Sequence, residues 1–163
     1  MQNGKKVEIP NFKFEKYGGC FEKTPCYIGL AKSVFALRDF KEQTNEIKYD
    51  KQLEKGTTYI LEHNFFKRLS KDEPITKHIT DISFPETYHL NSVELLRFAN
   101  KTNLMQHKNT NDLINHINKR RTKNGKWKNN FTYKADGYIN FDKGNNSSEW
   151  TTYVIKNALK WKT

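Results

Sequence analysis

The chain has 163 residues, of which 35% are hydrophobic and 13% aromatic, and its formal net charge is +11. This length predicts one domain, or one domain with a small appendage, that buries enough surface to fold without a disulfide or a metal. The aromatic content excludes a fully disordered chain, and no apolar stretch is long enough to span a bilayer. The polar residues after Met1 show no secretory signal, so we expect a cytoplasmic protein with no membrane partner.

The positive charge is concentrated toward the carboxyl end of the chain. Residues 1–100 have a net charge of +2, whereas residues 101–163 have 13 basic and 4 acidic side chains and a net charge of +9. Such an asymmetry is typical of chains that bind nucleic acid or another polyanion. We therefore divide the sequence into a near-neutral α+β scaffold region, residues 1–86, and a basic helix-helix-hairpin region, residues 87–163, within one compact domain.

The pattern of the near-neutral region predicts two short strands followed by two helices. Residues 7–15 alternate as a first strand does, and residues 25–30 predict a second. Ser33 is predicted to cap the first helix. Gly56 is predicted to break the chain before the second helix, residues 58–69.

The basic region begins with two helices. Asn91, followed three positions later by Glu94, is a capping-box pattern that begins the first, and residues 109–121 predict the second, which ends in three cations. Residues 131–141 predict a hairpin with Asp-Gly in its loop. The expected fold class is therefore α+β, with helices packed on a small antiparallel sheet and a winged-helix-like carboxyl-terminal part.

The last predicted element, residues 150–161, fits two structures. The spacing of its apolar residues suits a helix capped by Ser147 or Ser148. The β-branched and aromatic residues of 151–155 instead suit a strand that pairs with residues 138–141. We favour a strand that runs into a short helical tail.

A phosphate-binding surface is predicted where the second helix of the basic region ends. Residues 119–134 carry seven cations and no carboxylate, with aromatic residues between them. Lys and Arg neutralise phosphates, Asn pairs with adenine, and aromatic rings stack on unpaired bases. We therefore expect a non-catalytic protein that binds DNA or RNA. Its candidate contact residues are Asn111, Asn115, Asn118, Lys119, Arg120, Arg121, Lys123, Lys126, Trp127, Lys128, Tyr133 and Lys134.

An alternative is a nuclease. Tyr27-Ile28-Gly29, followed by Arg38, resembles the second half of the signature of the GIY-YIG nucleases, although no Gly-Ile-Tyr precedes it. In that family the tyrosine helps to activate the water, the arginine on the following helix stabilises the phosphoryl transition state, and a glutamate holds the metal. The resemblance implies these roles for Tyr27, Arg38 and Glu94, with Mg²⁺ as the cofactor. Without this activity we expect no cofactor and no metal.

A third interpretation is a small interaction or inhibitor protein of a phage or mobile element, which docks on a nucleic-acid-processing enzyme. The chain has 24 Lys and 18 Asn but only 5 Arg, a composition typical of AT-rich reading frames. A basic face that binds phosphates and one that binds an acidic protein have the same composition. The sequence therefore leaves both partners open.

Overall fold

The computed structural model describes residues 26–132 and 148–160. The chain divides into two compact units, of which one ends at Gly56 and the other begins at Thr57. A 3₁₀ turn, Lys108–Thr110, leads directly into one of the helices. In the described ranges no helix is both long enough and apolar enough to cross a membrane. The α-helices of these ranges are α1 (Tyr27–Thr44), α2 (Asp50–Glu62), α3 (Ser92–Lys101), α4 (Asn111–Lys119) and α5 (Glu149–Leu159).

The predicted α+β class, with helices packed on a small antiparallel sheet, is wrong. The described residues are helical and contain no sheet, only an isolated bridge between Lys67 and Pro74. The first predicted strand, and the predicted hairpin from residue 133 onward, lie outside the described residues.

The second predicted strand is the start of a helix. Tyr27, Ala31 and Val34 are buried, and their spacing places them on one face of α1. Burial of this face outweighs the cost of Gly29 inside the helix, which is about 1 kcal/mol relative to Ala. Ser33 does not cap α1, since its Oγ donates to the carbonyl of Gly29, 2.8 Å away.

Gly56 lies inside α2 instead of breaking the chain before it. A Cβ atom at this position would lie 2.2 Å from Cγ2 of Val34, so the absence of a side chain lets the two helices approach closely. The helix starts at Asp50, whose Oδ1 accepts a hydrogen bond of 2.6 Å from Nζ of Lys41. The predicted second helix is therefore displaced toward the amino end and stops at Glu62.

In the unit that begins at Thr57, α3 is the most deeply buried helix. Its predicted cap is confirmed, because Oδ1 of Asn91 accepts hydrogen bonds from the N–H groups of Val93 and Glu94, at 2.9 and 3.1 Å. Seven of its ten residues are buried. Both α4 and α5 pack against it.

The last element is a helix, so the favoured strand with a helical tail is wrong and the helical alternative is right. Oγ of Ser148 accepts a hydrogen bond of 3.0 Å from the N–H of Thr151, which caps α5. Residues 151, 152, 155 and 158 are buried, and this period is helical. Burial of this face outweighs the strand preference of the β-branched residues.

The close approach at Gly56 predicts an unusual response to alanine. Gly56→Ala should lower the free energy of unfolding by about 1–3 kcal/mol, because the added methyl group overpacks against Val34. Urea denaturation followed by circular dichroism measures the change. Adding Val34→Ala should cost less in this variant than in the natural chain, because the smaller side chain makes room.

Gly29→Ala is the matched control. There a Cβ atom would lie 3.7 Å from Sγ of Cys26, an ordinary contact. This substitution should stabilise the protein by up to about 1 kcal/mol through helix propensity alone. A Gly56→Ala variant as stable as the natural chain would contradict the close approach.

Candidate nucleic-acid interface

The helix α4 presents three amide side chains on its outer face. Leu113 and Ile117 are buried against the rest of the unit, whereas Asn111, Asn115 and Asn118 are exposed. Their spacing of four and three residues places the three asparagines on one face. The three asparagines that the sequence predicts as base contacts are therefore exposed to solvent.

The amino-terminal end of α4 is electrically balanced. Asp112 lies in its first turn, where a carboxylate is favourable. Nζ of Lys67 lies 2.6 Å from Oδ2 of Asp112 and 2.6 Å from Oδ1 of Asp72. These hydrogen bonds raise the pKa of Lys67, so it stays charged. The unbalanced charge of α4 is therefore at its other end.

Residues 119–128, which we call the basic turn, follow that end of α4. The turn is held by Trp127, which is only 2% exposed and whose Nε1 donates a hydrogen bond of 2.8 Å to the carbonyl of Ile117. Its backbone N–H donates to Oγ1 of Thr152 in α5, 3.0 Å away. The guanidinium of Arg121 lies over the indole, 5.5 Å from the ring centroid. Trp127 is therefore a core residue, and the base-stacking role predicted for it does not fit its position.

Backbone hydrogen bonds close the basic turn on itself. The N–H and the hydroxyl of Thr122 both donate to the carbonyl of Lys126, each at 2.8 Å. Gly125 takes a left-handed conformation, with φ of 72°, and its N–H donates to the carbonyl of Thr122. This conformation favours glycine. The basic turn is therefore ordered before any ligand binds.

The structure divides the predicted cations into three groups. Lys126 forms an ion pair with Glu149, so its charge is balanced within the protein. Lys134, together with the predicted aromatic contact Tyr133, lies outside the described residues. In the part of the chain that the structure describes, the remaining cations are exposed and none has a carboxylate partner. They are Lys119, Arg120, Arg121, Lys123 and Lys128.

The side chain of His116 in α4 forms a hydrogen bond within the protein. Its Nε2 lies 2.8 Å from the carbonyl of Thr80 and donates to it. Burial lowers the pKa of His116, and the nearby charges of Arg120 and Lys119 lower it further. The imidazole is therefore neutral at neutral pH and adds no charge to the basic turn.

Sequence reasoning missed a second feature, an open groove between α3 and α5 with a volume of about 450 Å³. Trp150 and Tyr153 are 56% and 64% exposed beside it. The signal that could have found it is the helical spacing within α5, which the favoured strand interpretation concealed. We call it the aromatic groove, and its lining residues are Phe84, Arg97, Asn100, Lys101, Trp150, Tyr153, Val154, Asn157 and Ala158.

The residues of the nuclease alternative lie on α1 and α3. Tyr27 and Arg38 both lie on α1, so their backbones are about 16 Å apart along the helix axis. Tyr27 is buried, and Glu94 is buried in the first turn of α3. Within residues 26–132 and 148–160, no group of three or more His, Cys, Asp or Glu side chains could hold a metal. Two of the three side chains that the resemblance implies for a nuclease, Tyr27 and Glu94, are therefore buried.

The neutral His116 predicts that acid destabilises the fold. Because its pKa is lowered in the folded state, the unfolded chain binds a proton more readily. The free energy of unfolding should therefore fall as the pH decreases below the ordinary histidine value of 6.5. His116→Gln keeps a donor for Thr80 and does not titrate, so urea denaturation of this variant should show a shallower fall.

His89→Gln should remove a further part of the fall, because burial also lowers the pKa of His89 and the nearby His78 adds to the effect. If the His116→Gln variant has the same pH dependence as the natural chain, the loss of stability in acid does not come from His116. The same conclusion would follow from a fall that begins well above pH 6.5.

No protein-family model, curated protein or solved structure matches this chain. The function is therefore inferred from the chemistry of the residues themselves. Two features qualify as candidate binding surfaces: the basic turn with the outer face of α4, and the aromatic groove.

Proposed function

We propose that the protein binds nucleic acid without catalysis, through the basic turn and the outer face of α4. The observation that carries the proposal is the concentration of five exposed cations within residues 119–128, none of them paired with a carboxylate in the described part of the chain. Like charges this close repel one another, and a polyanion relieves that repulsion. Contact with phosphates also releases counterions, which favours binding whatever the base sequence.

The order of the basic turn supports the proposal. A flexible lysine-rich segment would lose conformational entropy on binding, whereas this turn is closed by Thr122 and anchored by Trp127. Two of the five arginines of the chain, Arg120 and Arg121, are adjacent in it. A guanidinium matches the geometry of a phosphate with two parallel hydrogen bonds.

The asparagines give the proposed surface a way to reach bases. α4 has nine residues and is therefore about 13 Å long, and Asn111, Asn115 and Asn118 share its exposed face. An Asn side chain can form two hydrogen bonds with adenine in the major groove. In this proposal the cations supply most of the affinity, and the asparagines add a modest preference for sequence.

The proposal predicts strong salt dependence. If all five exposed cations of the basic turn contact phosphates, the logarithm of the binding constant for a duplex should fall with the logarithm of salt concentration at a slope of about −4.5. Fluorescence anisotropy with a labelled random duplex measures it. Arg120→Gln should reduce the steepness of the slope by about 1, because one counterion-releasing contact is lost.

Lys71→Gln is the matched control. Lys71 is exposed and adjacent to Asp72, which Lys67 connects to the amino-terminal end of α4, away from the basic turn. This variant should keep the natural slope. No binding at low salt, or a slope near zero, would overturn the proposal. Capture of an acidic protein in the presence of nuclease, lost in Arg120→Gln, would instead identify a protein partner.

A further inference from the structure

The aromatic groove has the features of a site for unpaired bases. We infer that it binds the bases of a single-stranded nucleic acid while the basic turn holds the adjoining phosphates, an inference that rests on the proposed function. Four observations carry it: the exposure of two aromatic rings, the shape of the groove, the cations at the carboxyl end of α5 and the continuity of the groove with the basic turn.

One wall of the aromatic groove is a face of α5. Trp150, Tyr153, Val154 and Asn157 are spaced by three, one and three residues, so they lie on the side of the helix opposite its buried face. Large aromatic side chains are usually among the most buried, yet Trp150 and Tyr153 are mostly exposed. Two exposed rings that line the same groove offer faces on which flat apolar ligands can stack.

The other wall comes from α3. It contributes Arg97, Asn100 and Lys101, and Phe84 closes one side. The amide of Asn100 donates to the carbonyls of Ala158 and Lys160, at 2.8 and 3.3 Å, so it fixes the two walls relative to each other. The groove is thus preformed, and its volume lies within the range of about 300–1,000 Å³ usual for ligand sites.

Cations lie at the carboxyl end of α5, next in sequence to residues of the aromatic groove. Lys156 is in the last turn of the helix, one residue before Asn157 of the groove wall, and Lys160 is the C-cap residue of the helix. Both are exposed, and within the described ranges neither has a carboxylate partner. Glu149, the acidic residue of this helix, is balanced by Lys126. Aromatic rings for bases with cations for phosphates are the combination typical of single-strand binding.

The aromatic groove adjoins the basic turn. The N–H of Ser148 donates to the carbonyl of Trp127 at 2.9 Å, and Lys126 is paired with Glu149, the neighbour of Trp150. Phosphates on the basic turn and bases in the groove can therefore belong to one strand. A duplex keeps its bases stacked and paired, so it gains from the basic turn alone. Single strands should consequently be preferred.

The test compares a labelled oligothymidylate of about 15 nucleotides with a duplex of the same length, by fluorescence anisotropy at low salt. In the full chain, Trp150→Ala combined with Tyr153→Ala should weaken single-strand binding by about 30-fold or more, because two stacked bases are lost. Duplex binding should change by less than about twofold, since its contacts are phosphates. Unchanged duplex binding also shows that the variant is folded.

Tyr88→Ala is the matched control, because Tyr88 is 67% exposed in the same unit and does not line the aromatic groove. It should leave both affinities unchanged. If the double variant weakens neither ligand, or both equally, the groove is not a base site, while a loss of binding in Arg120→Gln would still uphold the proposed function. If the natural chain binds neither ligand, both proposals are overturned. A dimer that dissociates in the double variant would assign the groove to a second copy of the chain and overturn the inference.

Discussion

Trp127 is the residue on which the arrangement of the candidate surfaces depends. Its indole donates to the carbonyl of Ile117 at the carboxyl end of α4, and its backbone N–H and carbonyl form hydrogen bonds with Thr152 and Ser148 at the start of α5. Removal of a buried tryptophan typically costs about 3–5 kcal/mol. Here such a loss would also remove the side-chain hydrogen bond that holds the basic turn to the carboxyl end of α4. The cations are held together because one large side chain among them is buried.

In the unit that begins at Thr57, some lysines form ion pairs within the protein and others are exposed to solvent. Lys67 is engaged by two carboxylates at the amino-terminal end of α4, and Lys126 is engaged by Glu149 at the start of α5. Exposed pairs of this kind stabilise a fold by only about 0–1 kcal/mol each. Their larger consequence is that the acids nearest to α4 and to the start of α5 are already paired, so they do not balance the cations of the basic turn. The positive electrostatic potential at the basic turn therefore depends on which acidic side chains are already paired.

Some local signals in the sequence predicted local structure. The cap at Asn91 and the inner and outer faces of α4 were predictable, because a cap and a helical period depend on a few neighbouring residues. The structure of Gly56, Trp127 and α5 depends on residues far away in the chain. In the sequence alone, Gly56 fits the pattern of a helix breaker, because its contact with Val34 is not visible there. Trp127 likewise fits the pattern of a stacking residue, because its hydrogen bonds with Ile117 and Thr152 are not visible there. The helical spacing within α5 could have indicated its exposed aromatic face, but the aromatic groove also needs α3, so its shape could not be predicted from one segment.

The contrast between two tryptophans has a spectroscopic consequence. Trp127 is sealed beneath Arg121, whereas Trp150 faces solvent at the aromatic groove. An indole in an apolar interior and one in water differ in emission wavelength and in access to a dissolved quencher. Within the described residues, the protein thus carries one intrinsic fluorophore that reports the integrity of its interior and another that reports what touches its exterior.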